Sequence, residues 1–177
     1  MTELAFVDTN IFLYVHDTTE PVKQPLAAQC LERLWQEQSG RTSAQVLNEY
    51  YYNAVRKLKP GLPAAEAWDN VRSLLTWTPQ PTDLELLMRA REIEQRYALS
   101  WWDSLIVGAA QLQNCSLLLT EDLQDRAMYG QVTVRNPFIA GVSEEPATYT
   151  VTPIVAPIHR RRGRPKRPST IGRARKA

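Results

Sequence analysis

Histidine and cysteine are scarce in this 177-residue chain: His16, His159, Cys30 and Cys115 are all there are. So few, so widely spaced, argue against a His/Cys zinc site, and neither histidine has a serine or cysteine partner in sequence that would complete a catalytic triad. Two cysteines do not make a disulfide framework either. Both lie where helix ends face apolar neighbours, which suits reduced thiols. The seven glycines form no Gly-rich phosphate loop, so nucleoside-triphosphate chemistry is disfavoured. Long apolar runs are also missing. The longest uncharged apolar stretch, around 105–112, falls far short of the roughly 20 residues of a membrane span. The start carries Glu3 and Asp8 in place of a basic segment and an apolar core, unlike a secretory signal. These absences predict a soluble cytoplasmic protein with no membrane partner.

What is present suffices for one ordinary domain: 44% of the residues are apolar, enough for a core at this length but not for two comfortable domains. The formal charge of +2 hides an asymmetry. Residues 159–177 hold nine Lys/Arg and no acid, leaving 12 basic against 19 acidic residues, a formal −7, in 1–158. With Pro153, Pro157, Pro165 and Pro168 nearby and almost no large apolar side chain after Ile158, this tail cannot offset its ordering entropy by burial. It is expected to be disordered until it meets an anion.

The hydrophobic pattern predicts strands at 4–7 (LAFV), 116–120 (SLLLT) and 132–134 (VTV). Helical text follows from Ile11, then over 22–38 closed by Gly40, from an N-cap at Ser43 to about Leu58, and from Pro63 to about Leu75. Two more helices run from a Thr82/Glu85 capping box to Tyr97 and from Ser100 to about Asn114. Strands separated by helices imply an α/β fold with a parallel sheet covered on its faces. There is no internal repeat. The domain is expected to occupy 1–138, followed by a linker over 139–158 and the basic tail over 159–177.

Four acids are notable by position. Asp8 ends the first strand, at the carboxyl edge where open α/β sheets place ligands. Glu49 lies two turns into the helix begun at Ser43, Asp103 in the first turn after Ser100, and Asp122 just after the strand ending at Thr120. Other readings stand beside the functional one: Asp103 completes a Ser-x-x-Asp capping box, Asp122 suits a helix cap, and Glu49 suits a solvated helix face. If the four converge, two carboxylates about 4 Å apart repel by roughly 4 kcal/mol at an effective dielectric near 20. A cation must then neutralise them. Oxygen-only donors select Mg²⁺ or Mn²⁺, and the matching chemistry is phosphodiester hydrolysis. The run Tyr50-Tyr51-Tyr52 suggests base stacking, but consecutive helical positions point about 100° apart, so at most one or two of these rings can share a face. Core packing or a dimer contact is the expected role, with Trp101 and Trp102 in core and rim.

The segments VDTNI (7–11), SAQVLNEYY (43–51), SWWDSLIVGAAQ (100–111) and LLTEDLQD (118–125), in this order and ending at NPF (136–138), resemble the PIN-domain nucleases, in particular the bacterial VapC-like toxins. The resemblance implies a three-layer α/β/α sandwich with a short parallel sheet and a Mg²⁺- or Mn²⁺-dependent ribonuclease site. It puts Asp8, Glu49, Asp103 and Asp122 around the metal, supported by hydrogen bonds from Thr9, Asn10, Ser43 and Thr120. Asp125 lies where some relatives carry a further acid. An RNA substrate, a cognate antitoxin and dimerisation are the implied partners.

The chain departs from that pattern in its tail. RRGRPKRP (161–168) is similar to an AT-hook, with the core Arg162-Gly163-Arg164-Pro165 followed by Lys166 and Arg167. Glycine lets such a backbone lie deep in a groove, proline keeps it extended, and the arginines enter the negative A·T minor groove. A sequence-blind phosphate grip, or a fold-back onto the acidic site, uses the same charges. The expected function is thus a metal-dependent endoribonuclease of the toxin type. The competing reading is a non-catalytic protein that grips A·T-rich DNA through its tail.

Overall fold

The computed structural model describes residues 3–139. The basic tail, and the linker beyond its first residue, lie outside the described residues. In chain order the elements are β1 (Ala5–Val7), α1 (Thr9–Tyr14), α2 (Lys23–Glu37), β2 (Gly40–Arg41), α3 (Ala44–Arg56), α4 (Ala64–Leu74) with a 3₁₀ turn at Leu75–Trp77, α5 (Leu84–Tyr97), α6 (Trp101–Leu112), β3 (Leu117–Leu119), β4 (Met128–Tyr129) and β5 (Val132–Arg135).

The strands form one sheet in the order β2-β1-β3-β5-β4. All pairs are parallel except the antiparallel β4/β5 edge. All three residues of β1 are buried, as expected for a central strand covered on both faces. Helices α1 to α4 pack on one another, while α5 pairs with α6, which lies against β3 and β5. The result is the three-layer α/β/α arrangement. From β1 the chain crosses to β2 on one side and to β3 on the other, so the carboxyl ends of β1 and β3 flank the point where strand order reverses. A ligand crevice forms at such a point.

Helix starts follow side-chain chemistry. Ser43 caps α3 by accepting from the Val46 amide at 3.3 Å, and Ser100 caps α6 by accepting from the Asp103 amide at 3.1 Å. The start of α5 corrects the sequence reading: Asp83, not Thr82, is the N-cap, its carboxylate accepting from the Leu86 amide at 3.0 Å. Asp83 carries a charge beside the positive helix end, which a threonine does not. Tyr50 is buried while Tyr51 and Tyr52 are exposed, as the turn of α3 requires.

Two short strands escaped the sequence reading, and one changes the meaning of Gly40. That glycine does not close α2. Gln38 makes the left-handed turn at φ 55°, and Gly40 begins β2, facing Ala5 in register. A Cβ at Gly40 would sit 2.5 Å from ring carbons of Trp77, which is itself buried against Phe12 and Trp35. Gly40→Ala is therefore expected to cost about 1–3 kcal/mol through overpacking. Urea unfolding checks it, with a lowered midpoint at an unchanged slope.

Candidate active site

The candidate site lies at the carboxyl ends of β1 and β3. The amide of Asp8 continues the sheet ladder to the Leu119 carbonyl (3.0 Å), while its extended backbone turns the side chain back to cap α1, accepting from the Thr9 amide at 2.7 Å. Asp8 is only 3% exposed and Thr120, just past β3, only 1%. The Thr120 hydroxyl donates to Asp8 Oδ2 at 2.8 Å. It accepts from the Asp122 amide and from Asn10 Nδ2, both at 3.1 Å. One donor and two lone pairs are thus all engaged.

Asn10 links the second acid. Its Nδ2 also reaches Asp122 Oδ2 at 3.2 Å and Asp8 Oδ2 at 3.4 Å. The oxygens around this nitrogen dictate the orientation of the amide, because the reversed rotamer would set its oxygen against carboxylates. Asn10 Oδ1 is consequently left buried with no hydrogen-bond partner among the described residues. Glu49, one wall further out on α3, is held from both sides: Thr9 Oγ1 donates to its Oε2 at 3.3 Å and Gln45 Nε2 to its Oε1 at 3.0 Å.

Asp8, Glu49 and Asp122 therefore belong to one polar network through Thr9, Asn10 and Thr120. Asp103 does not share their partners: its carboxylate accepts from the Ser100 hydroxyl at 2.6 Å, within its own helical turn. Ser43 reaches the site only by capping the helix that carries Glu49. Asp125 turns away to the segment after β5, where it accepts from the Asn136 amide at 2.8 Å, and it pairs with Arg126 at 3.6 Å. Among the described residues, no group of three or more His, Cys, Asp or Glu side chains is arranged to hold a metal ion. Carboxylates that repel are instead kept apart by an amide and hydroxyls. The donor set fits a hard divalent cation all the same, because it is oxygen throughout.

The sequence reading missed four residues around this network. Gln45 sits one turn before Glu49, a spacing legible in retrospect. The others form a cluster behind Asp122. Glu121 accepts from Lys23 Nζ at 2.7 Å and from the Tyr14 hydroxyl, and Lys23 Nζ also donates to Tyr14 at 2.9 Å. Partial burial works against the Lys23 charge, but the bonds to Glu121 and Tyr14 outweigh it and hold the ammonium protonated beyond the ordinary lysine range. Burial and the adjoining Glu121 push the Tyr14 phenol up. The segment 120–122 is thereby pinned on both sides, by Asp8 and Asn10 in front and by Lys23 and Tyr14 behind. Thr120→Val, which keeps the shape but leaves the Asp122 amide and Asp8 short of a partner, is expected to cost about 1–3 kcal/mol. Thr120→Ser should recover most of that loss, and thermal denaturation of the pair checks both.

A family model described as PIN domain matches residues 5–129. No curated protein matches the chain. Among solved structures the chain is similar to a toxin–antitoxin complex from Klebsiella pneumoniae, with 22% identity over 75% of this chain and 97% of that one, TM-score 0.54. It is also similar to VapC20 of Mycobacterium tuberculosis, described as a sarcin-ricin loop cleaving toxin, with 21% identity over 64% and 86%, TM-score 0.50. A third is VapBC2 from Rickettsia felis bound to a DNA fragment from their promoter, with 16% identity over 75% and 98%, TM-score 0.51. At these identities the structures speak for the fold alone, and they agree with a family match that spans most of the chain. The chain belongs to the PIN domain family.

Proposed function

We propose that this chain is a divalent-metal-dependent endoribonuclease acting in the cytoplasm as the toxin of a toxin–antitoxin pair. The observation that carries the reading is the sharing of one amide, Asn10 Nδ2, by Asp8 and Asp122, two carboxylates delivered from neighbouring parallel strands to the switch point of the sheet. Such a placement costs the fold electrostatic repulsion and adds nothing to its core. PIN family membership supports it, and the likeness to a sarcin-ricin loop cleaving toxin and to a toxin–antitoxin complex supports the substrate class and an antitoxin partner.

Asp8, Glu49, Asp122 and Asp103 are the residues that would hold Mg²⁺ or Mn²⁺, which supplies charge neutralisation at phosphorus oxygens and an activated water for hydrolysis. The remaining parts belong to the chain itself. Thr120 and Asn10 hold the Asp8 and Asp122 carboxylates against thermal rotation, and Thr9 with Gln45 fixes both oxygens of Glu49. Asp103 is tethered through Ser100 at the start of a rigid helix.

Purified protein incubated with total cellular RNA should cleave it with Mg²⁺ present, and not with chelator or as Asp8→Asn. Equal cleavage in all three conditions would point to a contaminating nuclease and sink the reading. Mg²⁺ at about 100 times its Kd should also stabilise the wild type by about 2.7 kcal/mol, with a smaller shift for Asp8→Asn. Asp103→Asn separates the two readings of that residue. The amide still bonds Ser100, so stability should change by less than about 1 kcal/mol, while cleavage falls by about 100-fold or more, as several kcal/mol of charge stabilisation requires.

A further inference from the structure

The loop that leaves β3 carries two adjacent carboxylates, Glu121 and Asp122. Glutamate is one methylene longer than aspartate and has one more rotatable bond, so reach alone does not keep Glu121 out of the crevice. Their partners separate the two. Asp122 Oδ2 accepts from Asn10 at 3.2 Å in front of the loop. Behind it, Glu121 has both oxygens engaged, Oε1 by the Tyr14 hydroxyl and Oε2 by Lys23 Nζ at 2.7 Å. Lys23 Nζ also donates to the Tyr14 hydroxyl at 2.9 Å and lies 4.4 Å from the centre of its ring.

Nothing local accounts for Lys23. It is the first residue of α2, where the helix dipole disfavours a cation, and neither a side-chain cap nor an acid in the first turn offsets that. Its partner comes instead from 98 positions along the chain. The other ion pairs among the described residues join residues one to three positions apart, and each has a side chain more than half exposed. Lys23 and Glu121 are 28% and 22% exposed, where solvent screens their attraction less. The fold thus places a cation against its helix dipole in order to hold one particular carboxylate.

We infer that Lys23, with Tyr14, selects Asp122 over Glu121 as the cation ligand of this loop; the inference rests on the metal-dependent reading of the site. With Lys23 in place, swinging Glu121 into the crevice breaks a charge-assisted hydrogen bond and leaves a partly buried ammonium unpaired. Without it, Glu121 competes with an acid whose Cα is only about 3.8 Å away. Asp122, held by Asn10 and Thr120, then no longer decides alone where a divalent ion sits. Mg²⁺ demands near-ideal octahedral geometry, so an exchanged ligand is felt in the rate. Lys23 and Tyr14 are positioning residues and act only through Glu121.

The test is a mutant cycle on the full-length chain, with Mn²⁺ affinity measured from the EPR signal of the free ion. In the wild-type background Asp122→Asn should weaken Mn²⁺ binding by at least about 10-fold. In a Lys23→Met background, where the flexible thioether keeps the packing on the Tyr14 and Phe138 rings, the same change should weaken it by less than about 3-fold, because Glu121 takes over. Lys23→Met alone should bind Mn²⁺ no more weakly than the wild type. Its kcat for a fluorescent single-stranded RNA with Mg²⁺ should nonetheless fall by about 10-fold or more at unchanged KM, and adding Glu121→Gln should restore it. Tyr14→Phe, which removes one hydroxyl and leaves the ion pair, should show the same pattern more weakly, and it decides the matter if Lys23→Met does not fold. An equal loss from Asp122→Asn in both backgrounds overturns the inference. So does weakened Mn²⁺ binding in Lys23→Met, which is what a merely structural ion pair predicts. If wild-type protein cleaves no RNA but the cycle shows the coupling, the ligand selection stands and the nuclease reading falls. If it cleaves RNA and the cycle shows no coupling, the reverse holds.

Discussion

The hydrogen bond from the Thr120 hydroxyl to Asp8 Oδ2 is the contact on which the candidate site depends. It joins the ends of two parallel strands, β1 and β3, just where the sheet ladder stops supplying backbone partners. Because the same hydroxyl accepts from Asn10 and from the Asp122 amide, one oxygen fixes the start of α1, the end of β3 and the loop that carries Asp122. A buried carboxylate such as Asp8 is tolerated only when its oxygens are engaged, and here the Thr9 amide and Thr120 supply that engagement.

From this bond the rest of the site follows by addition. Asn10 directs its amide hydrogens to oxygens of Thr120, Asp8 and Asp122, leaving its own oxygen orphaned. Thr9, the next residue back, turns outward to Glu49. The three consecutive residues 8–10 therefore touch every element that carries a candidate acid except α6. Behind the loop, Lys23 neutralises Glu121, so the negative charge of segment 120–122 is directed toward the crevice and balanced on the opposite side. Phe138, packed on the same Tyr14–Lys23 pair, ties the segment after β5 to the site. The packing of Phe138 and the position of the Asp122 loop therefore depend on the same side chains, Tyr14 and Lys23.

Much of the fold is legible in the sequence because its elements are long or strongly periodic. The apolar text of β1, β3 and β5 and the caps at Ser43 and Ser100 lead to elements within a residue or two of those observed. The two-residue strands β2 and β4 carry too few positions for any period to show. Gly40 reads as a helix stop in sequence because its true constraint, the Trp77 ring, lies 37 positions away. Capping-box spacing favours Thr82 over Asp83, while the backbone conformation that selects a cap is set by how the preceding loop docks.

For the site, the order of the acids along the chain, the oxygen-only chemistry and the clustering of positive charge in 159–177 are properties of the sequence itself, since they depend on residue type and on local strand and helix ends. Which polar groups actually meet was decided by the tertiary structure. Thr9 finds Glu49 across 40 positions and Asn10 finds Asp122 across 112, bonds that exist only after β1 has taken its place beside β3 and α3 has packed on α1. Ser100, by contrast, needs only its own helical turn to hold Asp103, and that pairing is visible in the Ser-x-x-Asp spacing. Hydrogen bonds are short and directional, so a sequence can present their donors and acceptors, but only the packed fold brings distant ones within about 3 Å.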